Sequence, residues 1–493
     1  MEKIILTGLT GLALCHSALA NFKKGTKLPD ITEQSEYYVT ESIPLPEGEV
    51  MEIGSIALMA NKKVAVTTRR GDIWVVTGAY DKDLSKVQWN KIFNGAHEPL
   101  GMFEKEGWLH FMDRDSYARI GDADKNGSYE TYQVISNQWG MNGDYHEYNF
   151  GSTPDKDGNV YVVHCLTGSG SAKSQWRGWA QKIAKDGTTT QFASGVRSPG
   201  GIGYNAEGDI FYTDNQGLWN GTSSLKHLKP KGFMGNPTGL TYFDDAKGMG
   251  EKPKTPENGS TIAKELKKIP QLVPPAVQMP HGKIGQSPTA VITDKTNGKF
   301  GLFGGQVLVG EQTHSQVQRV FLEQVNGVYQ GAVWHFLGGF KSGIIPMRLS
   351  HDGTLFVGGS SRGWASSGGD AFNFERVRWT GKKPFEMEKI EVLKDGFKVT
   401  FTEPVADLDD AKVNCEAWTY QYRSKYGSPE IDKLKPEVLS VSFDSRDKQS
   451  IRIKLDKMTV GHVHHLSFDS FKASAGKELW HKDAYYTLNQ IPK

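Results

Sequence analysis

Six short stretches of the chain share one pattern of apolar and polar positions. In each, a polar or acidic turn containing glycine leads into a strand of alternating apolar and aromatic residues. The stretches are Arg69–Gly78, Glu104–Asp113, Asp155–Cys165, Asn205–Asp214, Phe303–Glu311 and His351–Gly359. None is large enough to bury its own apolar face, and recurrence about every 40–50 residues is typical of blades around an axis. The pattern therefore predicts an all-β protein containing a β-propeller, with its functional groups on loops at one end of the channel.

The spacing of the repeats predicts six blades. The step between the turn glycines Gly208 and Gly305 is nearly twice the usual one, and it contains a Pro- and Lys-rich stretch at Lys247–Pro280. We interpret this stretch as a long loop with one short helix, inserted into a blade. The alternative is a seventh, degraded blade. The propeller is expected to span residues 46–384, after a lead-in segment over residues 21–45.

The alternation changes character after residue 384. Ile390–Val405, Val438–Leu455 and His464–Phe471 alternate strictly and carry ordinary surface charge. Short strands of this kind indicate a small Ig-like β-sandwich over residues 385–493. Such domains are commonly structural caps or carbohydrate-binding accessories, and no candidate site residue is assigned to this one.

The first 20 residues have the features of an export signal. Lys3 supplies the positive start, Ile4–Leu14 the apolar stretch, and Ala18 and Ala20 the small residues of a cleavage site. We expect a signal peptide over residues 1–20 and a periplasmic or secreted protein. A lipid anchor at Cys15 is the alternative, although Leu14 fits poorly directly before that cysteine.

Composition excludes several function classes. The 493 residues carry 58 Lys and Arg against 56 Asp and Glu, a net charge of +2, and no basic run is interleaved with aromatic residues, so nothing indicates a nucleic-acid partner. No later apolar run approaches the length of a transmembrane segment. No C-x-x-C-H motif for covalent haem attachment is present. Cys165 and Cys415 remain after signal removal and can form at most one disulfide.

The sharpest local motif is a candidate calcium loop. Oxygen-bearing residues alternate along it, with Gly127 at the position of the tight turn, as in the first part of known calcium loops. Its candidate ligands are Asp122, Asp124, Asn126, Ser128 and Glu130. The alternative is an Asp/Asn/Gly turn with solvated carboxylates.

A histidine-containing loop precedes the third repeat strand. His146 lies between the carboxylates of Asp144 and Glu147, and Tyr145 precedes it. A neighbouring carboxylate can orient and tune an imidazole as a general base. We predict His146 as the catalytic base, with Asp144 and Tyr145 at the substrate; the alternative is a hydrogen-bonded loop histidine.

An arginine in a Gly/Pro turn precedes the fourth repeat strand. Arg197 lies in the segment Gly195–Gly201, and Asp214 and Asn215 end the strand that follows. Together these side chains predict a clamp for an anion or for sugar hydroxyls.

Polar residues and tryptophan recur in the later loops. Their convergence from several blades favours a carbohydrate site, in which aromatic faces stack on sugar rings. The candidates are Lys283, Gln286, Glu311, His314, Arg362 and Trp364.

These motifs resemble the soluble glucose/sorbosone dehydrogenases, and more closely the secreted sugar-dehydrogenase-like propellers of polysaccharide-degrading bacteria. The resemblance covers roughly residues 45–385 and includes the GxRxPxG segment at Gly195–Gly201 and the strand at His351–Gly359. It implies a six-bladed propeller that carries pyrroloquinoline quinone (PQQ) and calcium. It implies that His146 is the base, that Arg197 contacts the quinone, and that the carbonyls of Gln216 and Gly217 hold calcium beside it.

The chain departs from those enzymes at three cationic positions. An ungapped alignment places Thr313 where they carry lysine, and Gly343 and Ile345 where they carry an Arg-x-Arg pair. Loss of three cations weakens binding of a tricarboxylate such as PQQ. Nearby cations that could substitute are Lys283, Lys341, Arg348 and Arg362.

Three functions follow from these residues. The first is an exported oxidoreductase acting on a sugar or sugar alcohol, with PQQ as its cofactor if it carries one, calcium as a structural ion and an external electron acceptor. The second is a cofactor-free lyase or hydrolase of an acidic polysaccharide, in which His146 with Tyr145 or Tyr148 transfers protons and Arg197 neutralises a carboxylate. The third is a glycan-binding propeller without catalysis.

Overall fold

The structure, a computed structural model, describes residues 31–363 and 365–493. The expected signal peptide and the first part of the lead-in segment lie outside the described residues, as does Trp364. Within the described ranges, no helix has both the length and the apolar character needed to cross a membrane.

Six sets of four antiparallel strands form the blades of a propeller; five are separate sheets, and the fifth blade is part of an eight-stranded sheet. In each blade the first strand is innermost, and successive strands pair outwards. The first three blades comprise β2–β5 (Ile53–Leu58, Val64–Thr68, Asp72–Thr77, Gln88–Asn94), β6–β9 (Met102–Lys105, Trp108–Met112, Tyr117–Gly121, Thr131–Ser136) and β10–β13 (Asn149–Gly151, Val160–His164, Trp179–Ile183, Thr189–Ser194). The other three comprise β14–β17 (Pro199–Tyr204, Ile210–Asp214, Ser223–His227, Pro275–Met279), β18–β21 (Pro288–Thr293, Val307–Glu311, Gln316–Val325, Val328–Leu337) and β22–β24 (Ile344–Leu349, Leu355–Ser360, Phe372–Trp379).

The N-terminal segment closes the ring. After helix α1 (Ile31–Tyr37), strand β1 (Tyr38–Ser42) pairs with β24 and supplies the fourth strand of the sixth blade. The innermost strand β22 of that blade contacts β2 of the first. The ring is therefore closed within one sheet, and the radial arrangement of the blades leaves only short strand edges.

Five of the six repeated stretches coincide with the second strand of a blade. The exception is Arg69–Gly78, which lies on β4, the third strand of the first blade. The turn before the true second strand, β3, contains no glycine; Asn61 and Lys62 adopt the positive φ there, at 58° and 55°. The glycine signal is therefore missing at that turn, and alternation alone cannot distinguish one blade strand from the next.

The long step between the fourth and fifth repeats is an insertion in the fourth blade. Residues 228–274 separate β16 from β17 and contain the short helix α2 (Ile262–Glu265). Phe233, Leu240 and Phe243 of the insertion pack against Trp176 and Trp179 of the third blade. The expectation of an inserted loop with one short helix is confirmed, and the described residues contain six blades.

A β-sandwich follows the propeller and shares a sheet with it. Its strands are β25 (Met387–Leu393), β26 (Gly396–Phe401), β27 (Lys412–Tyr420), β28 (Glu430–Leu434), β29 (Val438–Phe443), β30 (Ser450–Leu455), β31 (His462–Asp469) and β32 (Asp483–Leu488). One sheet has the order β25-β26-β30-β29. The other continues the fifth blade through pairing of β21 with β32. Trp334 of the fifth blade lies in the core of the sandwich, so the two units share a packed interior. Cys165 and Cys415 are both buried free thiols.

Candidate functional site

A cavity of about 310 Å³ lies at one mouth of the propeller. Most of its wall is formed by the innermost strands of the blades with the segments that enter them, and by the loops that follow the second strands; the sandwich contributes Tyr426. The side chains that carry charge, polarity or aromatic faces there are Arg69, Tyr145, His146, Tyr148, Phe150, Ser169, Arg197, Ser198, Asn215, His281, Gln286, Ser287, Thr289, Gln312, Arg362 and Tyr426. Among the described residues, the wall contains three arginines and no aspartate or glutamate.

A buried Arg–Glu–Arg cluster supports one side of the cavity. Arg69 Nε donates to Glu98 Oε1 at 2.7 Å, and Arg114 Nε donates to Glu98 Oε2 at 2.7 Å. Arg114 also donates to the backbone carbonyls of Asp144 and Tyr145 at 2.9 and 2.6 Å. Buried charges are tolerated where such pairing is complete. The cluster therefore fixes the backbone on which His146 lies.

His146 is a half-buried cavity residue that favours the neutral state. Burial lowers its pKa most; Asp144 opposes this, and Arg197 and Arg114 lower the pKa further. A neutral imidazole can accept a proton, as a general base must. Its Nδ1 lies 3.9 Å from Asp144 Oδ1, too far for a hydrogen bond.

The neighbouring carboxylates shape the loop instead of orienting the imidazole. Asp144 Oδ1 accepts from the backbone N–H of His146 and of Gly168, each at 2.9 Å. Glu147 is fully buried and accepts from the Asn142 N–H at 2.7 Å and from the hydroxyl of Thr167 at 2.5 Å. Orientation of the His146 ring by a hydrogen-bonded carboxylate, a premise of the sequence analysis, is absent from this structure.

Two tyrosines flank His146. The Tyr145 and Tyr148 rings meet the imidazole edge to face, with centroids 5.2 and 6.4 Å away. Arg69 Nη2 donates to the Tyr148 hydroxyl at 3.0 Å. Burial raises the pKa of Tyr148, with Arg69 opposing it, so this hydroxyl keeps its proton near neutral pH and can donate into the cavity.

Arg197 is a buried arginine without an acidic partner. It is 4% exposed, and Nη1 donates to the carbonyls of Gln216 at 2.6 Å and Asn215 at 3.3 Å. Its buried Nε has no hydrogen-bond partner, and within the described chain no carboxylate lies within 4.0 Å of it. A buried guanidinium of this kind is suited to an anionic ligand.

Glycine is required beneath Arg197. A Cβ atom on Gly217 would lie 2.0 Å from Arg197 Cζ. Gly217 therefore serves the site by making room for the guanidinium.

Several residues predicted from the sequence lie behind the cavity. Asp214 is buried, accepts from the Ser198 N–H at 2.8 Å and pairs with Lys226 at 2.9 Å. Glu311 is buried and accepts from the backbone N–H groups of Gln286, at 3.0 Å, and of Ser287 and His314. Both carboxylates end a second strand and hold the mouth loops of their blades. His314 is itself buried.

Of the cations that could substitute for the missing PQQ partners, Arg362 alone lines the cavity in the described chain. Its Nη1 donates to the Arg69 carbonyl at 3.0 Å and lies 3.6 Å from Glu52. Lys283 pairs with Glu430 at 2.8 Å. Lys341 is exposed. Arg348 is directed to the carbonyls of Met347 and Met102 at 3.1 and 3.2 Å.

Sequence reasoning missed Arg69, Glu98 and Tyr426. Arg69 directly follows a second strand, as Asn215 and Gln312 do, but the glycine-turn pattern of the first blade marks its third strand, β4. Glu98 has a positive φ of 53° in the segment before its blade, which no sequence signal reports. Tyr426 comes from the sandwich, to which no site residue was assigned.

The cavity suits the carboxylates of PQQ but does not offer the implied calcium site beside it. Arg197 has no carboxylate within 4.0 Å in the described chain and is suited to a ligand carboxylate, whereas Arg69 is paired with Glu98 and Arg362 lies 3.6 Å from Glu52. The Gln216 carbonyl, however, accepts from Arg197, and the Gly217 carbonyl accepts from the Gly427 N–H at 3.0 Å. A guanidinium at 2.6 Å would repel a divalent cation, so the residues do not fit calcium at these carbonyls.

The acidic loop lies at the opposite end of the propeller. It connects β8 to β9, the third and fourth strands of the second blade. Carboxylate oxygens of Asp122, Asp124 and Glu130 lie within 4.8 Å of one another. Asp122 accepts from the N–H groups of Asn126 and Gly127 at 2.9 and 2.7 Å, and Asn126 Oδ1 accepts from the Ser128 N–H at 2.8 Å. An ion there would contact no cavity residue.

No protein-family model and no curated protein sequence matches this chain. Solved structures do. A Trichoderma reesei structure of Carbohydrate-Active Enzymes Family AA12 matches with a TM-score of 0.50 and 11% identity over 72% of this chain and 99% of that one. The pyranose dehydrogenase PQQ domain of Coprinopsis cinerea has a TM-score of 0.49 and 12% identity, over 69% and 95% of the two chains. The PQQ-bound aldose sugar dehydrogenase of Streptomyces coelicolor has a TM-score of 0.45 and 13% identity, over 71% and 100%. At 11–13% identity these matches show a shared fold alone. As a likeness of fold, the expected resemblance to sugar-dehydrogenase propellers is confirmed.

Proposed function

We propose that the mouth cavity is the active site of an oxidoreductase-like propeller that acts on a sugar or sugar-derived alcohol. The observation that carries the proposal is Arg197, a buried arginine with a free Nε and no carboxylate within 4.0 Å, in a wall without acidic residues among those described. The neutral His146 of the same wall can accept the hydroxyl proton of the substrate. Arg197 anchors an anionic group of the cofactor or of the substrate.

The form we favour uses PQQ, which when bound supplies the acceptor for the two electrons of alcohol oxidation. Arg197 would hold one of its carboxylates, with Arg362 of the same wall as the second candidate, whereas Arg69 is already paired with Glu98. His146 holds the proton released from the substrate hydroxyl, and the Tyr148 hydroxyl would donate a hydrogen bond to a bound ligand. No haem motif is present in the sequence, so a separate electron acceptor would complete the cycle.

A specific observation favours a second form, a cofactor-free enzyme on an acidic polysaccharide. The Gln216 carbonyl, at which the resemblance to sugar dehydrogenases implies calcium beside PQQ, accepts a hydrogen bond from Arg197 instead. The same guanidinium could neutralise the carboxylate of a uronate, while His146, with Tyr145 or Tyr148, removes and returns protons. The third function, a propeller that binds a glycan without catalysing a reaction, is distinguished from both enzymes by the same experiment.

Two further expectations stay proposals. We infer that calcium occupies the β8–β9 loop as a structural ion, supported by the clustered oxygens of Asp122, Asp124 and Glu130. We also retain export to the periplasm or medium, which rests on residues 1–20 alone.

A titration of the purified protein with PQQ, with and without calcium, tests the proposal. Absorbance reports binding, and a dye-linked assay follows oxidation of neutral sugars, polyols and uronates. We expect saturable binding at micromolar PQQ and activity that His146→Ala abolishes, while His351→Ala, an exposed histidine in a turn of the sixth blade, leaves it unchanged. No saturable binding would exclude the PQQ form. Release of an unsaturated product from a uronate polymer would support the lyase, and glycan affinity that survives in His146→Ala without turnover would indicate binding alone.

A further inference from the structure

A hairpin of the β-sandwich reaches the mouth of the propeller. This sandwich hairpin, residues 421–429, connects β27 to β28 and runs beside the loop that follows β15. Three backbone hydrogen bonds join the two: Gly427 N–H to the Gly217 carbonyl at 3.0 Å, Ser428 N–H to the Gly221 carbonyl at 3.0 Å, and Trp219 N–H to the Arg423 carbonyl at 2.7 Å. Leu218 and Tyr426 form an antiparallel bridge between them. The hairpin is therefore fixed to the loop whose carbonyls bind Arg197.

A second contact ties the sandwich to the next mouth loop. Lys283, three residues before the cavity residue Gln286, pairs with Glu430 at 2.8 Å. Its ammonium lies 3.8 Å from the centroid of the Trp418 ring. Both partners belong to the sandwich, so this domain positions two neighbouring loops of the cavity.

Tyr426 is the residue that the hairpin places in the cavity wall. Tyr422 of the same hairpin and Tyr420 at the end of β27 are buried, at 4% and 7% exposed, whereas Tyr426 is 59% exposed. The Arg197 guanidinium carbon lies 5.1 Å from the centroid of its ring. An exposed aromatic ring with a rigid backbone presents a flat apolar surface beside an arginine that has no acidic partner. Rings that carry a carboxylate match this pair, because the ring can stack while the carboxylate binds the guanidinium.

We propose that Tyr426 is a ligand-contacting residue of the cavity, which stacks on the ring of a carboxylate-bearing ligand bound by Arg197. The β-sandwich then forms part of the active site and helps to set its specificity. The inference rests on the proposed function, since it requires the cavity to bind an anion. A uronate and PQQ both have this chemistry, and the experiment separates them.

Binding of three probes to Tyr426 variants tests the inference. The probes are D-glucuronate, PQQ and, as the neutral counterpart, D-glucose, measured by calorimetry. Tyr426→Ala should weaken binding of D-glucuronate or PQQ about tenfold, and Tyr426→Phe should stay within about twofold, because stacking needs the ring and not the hydroxyl. Tyr132→Ala is the matched control, an exposed tyrosine (43%) on the outermost strand of the second blade, and should leave binding unchanged. Because Tyr426 is exposed, the melting temperature of its variants should equal that of the wild type.

The outcomes distinguish the inference from the proposed function. A loss confined to PQQ assigns the stacked ring to the cofactor, and a loss confined to D-glucuronate assigns it to the substrate. Unchanged affinity in Tyr426→Ala, with a wild type that binds, overturns the role of Tyr426 and leaves the proposed function standing. An equal loss for D-glucose overturns the pairing of Tyr426 with Arg197. A wild type that binds none of the probes overturns both.

Discussion

His146 and Arg197 influence each other through charge, and this coupling has a measurable sign. Arg197 is one of the groups that lower the pKa of His146 below its usual value. Arg197→Gln should therefore raise the His146 pKa, and the acid limb of its protonation curve should move to higher pH. An NMR titration of the imidazole measures this without any substrate. Arg70→Gln is the control, because Arg70 is 54% exposed and paired with Glu52; it should leave the protonation curve of His146 unchanged. A lower His146 pKa in Arg197→Gln would contradict the charge coupling between the two residues.

Gly217 tests the position of Arg197 without removing its charge. A Cβ at residue 217 would overlap the guanidinium, so Gly217→Ala should displace Arg197 and weaken binding of an anionic probe by about tenfold or more, since hydrogen bonds to charged groups contribute about 1.5–3 kcal/mol. Calorimetry with PQQ or D-glucuronate measures the loss. Gly304→Ala is the control, because a Cβ there meets nothing within 4 Å. Equal binding by Gly217→Ala and wild type would show that the arginine is not an anchor.

Among the elements, the β8–β9 loop should respond to calcium independently of the cavity. Binding to the folded state alone raises the free energy of unfolding with ligand excess, and about 2.7 kcal/mol is expected at a hundredfold excess over the dissociation constant. Calcium should raise the melting temperature of the wild type, and a chelator should reverse the rise. Asp122→Asn should abolish the response, whereas Asp186→Asn, in an exposed turn of the third blade, should preserve it. Loss of PQQ or glucuronate binding on chelation would contradict a purely structural ion.

The elements were accessible from the sequence because their signals are local. Alternation and a glycine turn identify a blade strand within about ten residues, and the signal is lost where Asn61 and Lys62 make the turn. The loop positions of His146, Arg197 and Asn215 follow from the same strands. Glu98 and Tyr426 could not be found in this way, since their roles depend on chain segments that only the closed ring and the sandwich hairpin bring together. Polar residues at strand ends were also ambiguous: Asp214 and Glu311 bind backbone N–H groups, whereas Asn215 lines the cavity.

At the scale of the whole molecule, Tyr38 joins the ring closure, the fifth blade and the sandwich. It is 1% exposed, its hydroxyl donates to the Phe300 carbonyl at 3.1 Å, and its ring lies 5.1 Å from Phe336 and 6.2 Å from Trp480. Tyr38→Ala should cost about 3–5 kcal/mol of unfolding free energy, as for other buried aromatic residues, and Tyr38→Phe about 1 kcal/mol for the hydrogen bond.

Because β21 and β32 belong to one sheet, urea unfolding followed by tryptophan fluorescence and by circular dichroism should show one shared transition that moves in both variants. A sandwich transition that stays at the wild-type midpoint in Tyr38→Ala would mean that the two units unfold separately, and that the hairpin carrying Tyr426 can leave the mouth while the propeller remains folded.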